Sequence, residues 1–228
     1  MASSARNIVA AYPQAGMDLA REIVAVSGRL GIPDPGWLAN LINFETAGTF
    51  SPSVQNPHTR ATGLIQFVPP TAEGMGTSVE ELATMSKLEQ MDWVEAYLER
   101  KISGSRNLSQ PTDLYMAVFF PVAMGQGEDF DIYDWYVENR GQSRADQYLR
   151  QNNGIRTAGD YARKANERSK LPTGLSGARL AGLGGSGTPW WAWGIALLAT
   201  VALIQQVYNL KQRRRREHTR ETWDRLSR

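Results

Sequence analysis

Cysteine is absent from the 228-residue chain, and histidine occurs only at His58 and His218. The first absence excludes a disulfide framework, a thiolate metal site and a cysteine nucleophile. The second, with the two histidines far apart in sequence, argues against a zinc site and against a Ser-His-Asp arrangement. No cofactor is expected, and an enzyme built from this chain would have to work with carboxylates. No secretory signal is expected either, since residues 1–14 lack a charged start, an apolar core and a small-residue cleavage site. No internal repeat is evident.

The length allows one good-sized domain plus appendages. A net charge of +2 conceals an asymmetry: residues 1–170 hold 16 Lys/Arg against 20 Asp/Glu, whereas residues 210–228 hold 8 against 3. The basic balance therefore belongs to the tail, where it points to anionic lipid headgroups or nucleic acid as a partner. The main domain carries no such signal.

Asp34, Pro35 and Gly36 read as a helix start, with Asp34 as the side-chain cap and Pro35 in the first turn. Trp37, Leu38, Leu41 and Ile42 then recur on one helical face, and the next position on that face is Glu45. An acid thus stands where an apolar residue belongs. Burial withholds water from a carboxylate and keeps the proton on, which is what a general acid acting on a glycosidic oxygen requires. The plain alternative is a glutamate that closes the last turn and points to water.

Glu45 keeps informative company. Glu45-Thr46, Ser51-Pro52, Gly63-Leu64-Ile65-Gln66-Phe67-Val68-Pro69, Thr71-Ala72 and Met75-Gly76 follow in order. This series resembles the soluble lytic transglycosylase family of the lysozyme superfamily, and the likeness spans roughly residues 15–125. The family shows a Glu-Ser pair at a helix end, then Gly-Leu-Met-Gln, a proline and Thr-Ala. The resemblance implies a mainly α, lysozyme-like domain with a small extended or β segment along one wall of a sugar cleft. It implies Glu45 as the catalytic acid/base and Gln66 as a hydrogen-bond partner of the sugar's N-acetyl group. Asn56 falls where the family places a polar cleft residue, Thr46 stands for the usual serine and Ile65 for the usual methionine. Relatives carry Ala-Tyr-Asn-Ala-Gly where this chain reads Ala117-Val118-Phe119-Phe120-Pro121. Phe119 in the tyrosine's place would give an apolar wall but no hydrogen bond, and Tyr115, Tyr133 and Tyr136 are the candidates to replace it.

Elsewhere the chain reads as scaffold. Residues 17–30 carry a helical pattern, Ser78 with Glu81 and Ser86 with Glu89 have capping-box spacing, and Leu88, Met91, Val94, Leu98 and Ile102 mark an apolar face over residues 87–102. On that helix Glu95 and Glu99 are expected on a solvated face. The Pro69-Pro70 pair keeps the residue before it extended, so Gln66 should lie on a strand or loop. Residues 112–120 read as a buried helix. Asp129, Asp131 and Asp134 lack the central glycine and terminal glutamate of a calcium loop and are expected on a solvated surface. Thr157 is expected to cap a closing helix before residue 170.

The composition then changes. Residues 171–188 are rich in Gly, Ser, Leu and Ala and read as a flexible tether. Residues 189–210 carry no charge, open on Trp190, Trp191 and Trp193, run through Ile195–Ile204 and approach Tyr208. At ~1.5 Å per residue they would span about 33 Å, enough for one transmembrane helix with interfacial aromatics. Residues 211–228 form a basic tail in which Arg213, Arg214, Arg215 and Arg216 could meet anionic lipid or DNA.

The resemblance therefore implies a peptidoglycan lytic transglycosylase in residues 1–170, cleaving the β-1,4 MurNAc-GlcNAc bond with a 1,6-anhydro product, and the uncharged run adds a single C-terminal span as its expected anchor. Hydrolysis with a second acid such as Glu73 is the near neighbour. This architecture resembles membrane-anchored bacteriophage virion transglycosylases, which implies peptidoglycan strands, a lipid membrane and other virion proteins as partners. The expected location is a virion, in an internal membrane or the ejection apparatus, or the bacterial envelope. The rival from another class is a wall-binding, membrane-tethered structural or ejection protein that does not cut.

Overall fold

Asp34 and Pro35 start the central helix as their chemistry requires. The Asp34 carboxylate accepts the Gly36 N–H at 2.7 Å, and helix α3 runs Pro35–Glu45. Every residue from Gly36 to Asn43 is buried, so α3 is enclosed on all sides where the apolar spacing suggested a single inner face. A helix can be enclosed in this way only if its polar members are satisfied. Asn40 takes the Tyr12 hydroxyl on Oδ1 at 2.5 Å and gives Nδ2 to the Leu171 carbonyl at 3.2 Å; Asn43 gives Nδ2 to the Arg168 carbonyl at 3.0 Å. Residues 168–171 are thereby strapped along α3.

The computed structural model describes residues 2–102 and 108–172. Before α3 come α1 (Ala2–Ala11), a 3₁₀ turn at Pro13–Ala15 and α2 (Gly16–Arg29). After it come α4 (Pro69–Met75), α5 (Val79–Thr84), α6 (Lys87–Ile102), α7 (Pro111–Phe119), α8 (Ile132–Arg140), α9 (Gln142–Gln151) and α10 (Ala158–Asn166). Helices α1, α2, α7 and α10 pack on α3, α6 packs on α2 and α7, and α8 with α9 forms a helical hairpin. The described chain is mainly helical. Its extended part amounts to isolated antiparallel bridges, two of which, Gln55 with Thr62 and Thr62 with Phe67, stitch the loop between α3 and α4.

The capping chemistry falls where the sequence placed it. Ser78 and Glu81 form a reciprocal box at the start of α5, Ser86 and Glu89 exchange bonds at the start of α6, and Thr157 with Asp160 does the same for α10. Pro69 and Pro70 do more than halt a helix: after an extended Val68 they open α4, since a proline at the first positions forfeits no helical bond. Two surface expectations need correction. Leu88, assigned to the apolar face of α6, is 44% exposed. Glu95 is not merely solvated but accepts two bonds from Arg29 of α2, at 2.7 and 2.8 Å. Asp131 caps α8, and Asp131 and Asp134 both bind Arg156.

Among the described residues no helix is long and apolar enough to cross a membrane. The predicted tether beyond Pro172, the predicted span at 189–210 and the basic tail with Arg213–Arg216 lie outside the described residues.

Candidate active site

Glu45 is the last residue of α3, and the chain turns sharply after it. Thr46, fully buried, gives its hydroxyl proton to the Ile42 carbonyl at 2.7 Å and accepts the Phe50 N–H at 3.0 Å, tying the turn to the helix end. Ala47, Gly48 and Phe50 all have positive φ, at 52°, 84° and 51°. Two of these are not glycine, a conformation that persists only where the surroundings enforce it. The turn leaves Glu45 half-buried at the helix end.

The Tyr161 hydroxyl of α10 donates to Glu45 Oε1 at 2.8 Å. Rings hold that tyrosine: Phe119 stacks on it at 4.3 Å and 14°, Phe44 meets it edge-on at 5.5 Å, and Tyr115 lies 6.3 Å away. Burial pushes the Glu45 carboxyl up to about 7, against the pull of the Tyr161 bond, which favours the charged form. The negative end of the α3 dipole acts in the same direction as burial. Burial, and next the charge of Glu45, hold the Tyr161 phenol well above the ordinary tyrosine value, so it remains a donor wherever the domain is folded. With Oε1 occupied by Tyr161, the acid proton of Glu45 belongs on Oε2.

The motif glutamine lies on the loop from Ser51 to Val68, which two antiparallel bridges stitch together. Gln66 has φ +53° and gives both Nε2 protons to carbonyl oxygens, of Gly63 at 3.0 Å and of Val54 at 3.2 Å. Two carbonyl partners fix the orientation of the amide. Oε1 is therefore the end of Gln66 not spent on these bonds, and it can only accept. Phe67, next in the chain, meets Tyr97 of α6 edge-on at 5.9 Å. Tyr97 is buried, and its phenol is raised first by that burial and then by the charge of Glu45. Its hydroxyl donates to the Ala117 carbonyl of α7 at 3.3 Å.

The residues expected at the site take different parts. Glu45 and Gln66 keep chemically available oxygens. Thr46 spends its hydroxyl on the helix end. Asn56 is buried, with Oδ1 accepting the N–H groups of His58 and Thr59 at 3.0 and 3.2 Å, so it shapes the loop from within. Phe119 is fully buried and backs Tyr161. Of the tyrosines considered for the missing hydroxyl, Tyr133 bonds Asp146 and Tyr115 bonds Asn166 at 3.0 Å, and Tyr136 stacks on Tyr148. The donor to Glu45 is Tyr161, which the sequence reading passed over. Its signal was a helical face of Ala158, Tyr161, Ala162 and Ala165 behind the Thr157 cap. Glu73, considered as a second acid, is exposed on α4. Among the described residues no cluster of three acidic or histidine side chains could hold a metal.

Comparison of the chain with protein-family models, with curated proteins and with solved structures gave no match. The site is therefore read from its own chemistry.

Proposed function

We propose that residues 1–170 form a lysozyme-like glycosidase that acts as a lytic transglycosylase on peptidoglycan. The observation that carries this reading is Glu45: a carboxyl at a helix end, titrating at about 7, with one oxygen fixed by a buried tyrosine and the other left to carry the proton. A group with that value is populated in both forms near neutral pH, which suits an acid that must next serve as a base. Glu45 Oε2 protonates the glycosidic oxygen, and the bond to the anomeric carbon breaks. The substrate's own acetamido oxygen stabilises the cation-like carbon, and Gln66 Oε1 accepts the N–H of an acetamido group. Glu45, now ionised and held by Tyr161, takes the proton of the 6-hydroxyl, whose oxygen closes on the anomeric carbon to give a 1,6-anhydro end. No water enters the product. A single acid suffices for this sequence, and the Glu45 shift arises from lost hydration and not from a neighbouring carboxylate.

On this reading the uncharged segment 189–210 anchors the domain in a lipid membrane, and Arg213–Arg216 meet anionic lipid or DNA, in a virion or in the bacterial envelope. Incubating the protein with isolated peptidoglycan and weighing the released muropeptides tests the reaction. Anhydro products, lighter by one water, support it; reducing ends alone would make the enzyme a hydrolase. Equal turbidity loss from wild type and Glu45→Gln, or none from either, would remove Glu45 from the chemistry and leave a wall-binding module.

A further inference from the structure

Gln90 lies on α6 with no solvent exposure, beside the core residues Met91 and Val94. A primary amide is tolerated there only when its polar atoms are engaged. Oε1 accepts the Leu64 N–H at 2.6 Å, and Nε2 donates to the Pro52 carbonyl at 3.0 Å and the Leu82 carbonyl at 2.8 Å. These partners come from three separate stretches: Pro52 leads into the loop that carries Gln66, Leu64 brings it back, and Leu82 lies near the end of α5. An apolar side chain of equal size would leave all three backbone groups without this partner.

Gly63 stands directly on this amide. Its φ is +86°, and a Cβ placed there would come within 2.2 Å of Gln90 Oε1. The glycine of the Gly63–Gln66 turn is thus required by Gln90 as well as by its backbone angle. Gln66 closes the same turn at φ +53° and binds the Gly63 carbonyl. Such a turn needs outside support, because a left-handed glutamine is disfavoured on its own.

We propose that Gln90 is a positioning residue for Gln66: by gripping the Leu64 N–H and the Pro52 carbonyl it fixes the Gly63–Gln66 turn and so aims Gln66 Oε1 at the ligand. The inference rests on Gln66 as a sugar contact, as read above. Among the described residues Gln90 has backbone groups of Leu64, Pro52 and Leu82 as its partners, not Glu45. Its loss should therefore weaken glycan binding without moving the ionisation of the acid.

The test uses the full chain in detergent with Gln90→Leu. The KM for soluble glycan fragments should rise about tenfold with kcat changed less than about threefold, the signature of lost binding without lost chemistry. The basic limb of the pH profile, set by Glu45, should stay where it is. In a ¹H–¹⁵N spectrum the Gln66 side-chain NH₂ pair, both protons bonded in the wild type, should move toward the positions of free glutamine. An unmoved Gln66 pair, an unchanged KM or a displaced pH limb overturns the proposal. The Gln66 signal is readable whether or not the wild type cuts glycan, so a failure of the glycosidase reading remains distinct from a failure of this one. Should Gln90→Leu not fold, Gln90→Glu keeps the volume and the acceptor for Leu64 but, once ionised, offers no proton to the Pro52 and Leu82 carbonyls. It should give the same displacement of Gln66, and a Gln66 pair at wild-type positions in that variant overturns the proposal equally.

Discussion

Rings hold the tyrosine that binds Glu45, whereas hydrogen bonds hold Gln66 itself. Around the acid, Phe44, Tyr115 and Phe119 close on Tyr161, whose hydroxyl binds the carboxyl. Around the glutamine, Val54, Gly63, Leu64 and Pro52 are joined through two buried amides, and the backbone runs through positive φ. The difference follows from what each side has to do. A carboxyl keeps its proton only where polarity is scarce. On the proposed reading Gln66 must be aimed at a sugar amide, and directed bonds aim better than apolar packing.

The most damaging way to break the acid side is Glu45→Gln. Cleavage of peptidoglycan should fall by about 10³-fold or more, within the range of general acid–base catalysis, as measured by muropeptide release. The same change should raise stability. Glu45 takes its proton at about 7 when folded and near 4.5 when unfolded, so between those values the folded chain binds more protons. Wild-type stability therefore falls as pH rises from about 4.5 to 7, by roughly 3 kcal/mol, and stays lowered above that. Denaturant melts of Glu45→Gln should lack this decline, leaving the variant the more stable at pH 8 and level with wild type at pH 4.

On the polar side, Gly63→Ala should cost about 2–3 kcal/mol of unfolding free energy, because the added carbon meets Gln90 and the backbone must keep a positive φ. Urea melts measure it, and a loss under about 0.5 kcal/mol would show that the turn relaxes freely. Tyr161→Phe keeps the rings and deletes one bond. Activity should drop by roughly tenfold, and the Glu45 value should climb, since the bond lost is the one that favoured the charged form. The basic limb of the pH profile then moves upward. A downward movement would mean that Tyr161 acts on something other than Glu45. The smallest effect belongs to Asp34→Ala at the far end of α3: about 1 kcal/mol of stability for the lost cap, with cleavage unchanged.

These two sides were unequally legible in the sequence. Asp34, Ser78, Thr157 and their partners declared helix starts because capping acts over three residues, and each is found capping. Glu45 stood out because it broke a local apolar pattern. Pro69 placed Gln66 off the helices by a constraint on its immediate neighbours. Tyr161 gave no comparable sign, since its meaning depends on a residue 116 positions away. Gln90 has no neighbour in sequence that explains it, and only the returning loop shows why an amide is there. Asn56 and Thr46 show the converse: polar residues beside a motif whose oxygens are consumed by the backbone. The helices α1, α4, α8 and α9 were not foreseen.

The strap of residues 168–171 has a mechanical consequence. Arg168 lies against Asn43 and Leu171 against Asn40 and Gly36, so Leu171 sits near the Pro35 end of α3, roughly 15 Å of helix from the Glu45 carboxyl. Whatever holds the chain beyond that point holds the domain by its back. A tug from there meets amide-to-carbonyl bonds along the buried helix and the bond from the Lys170 N–H to the Tyr12 hydroxyl.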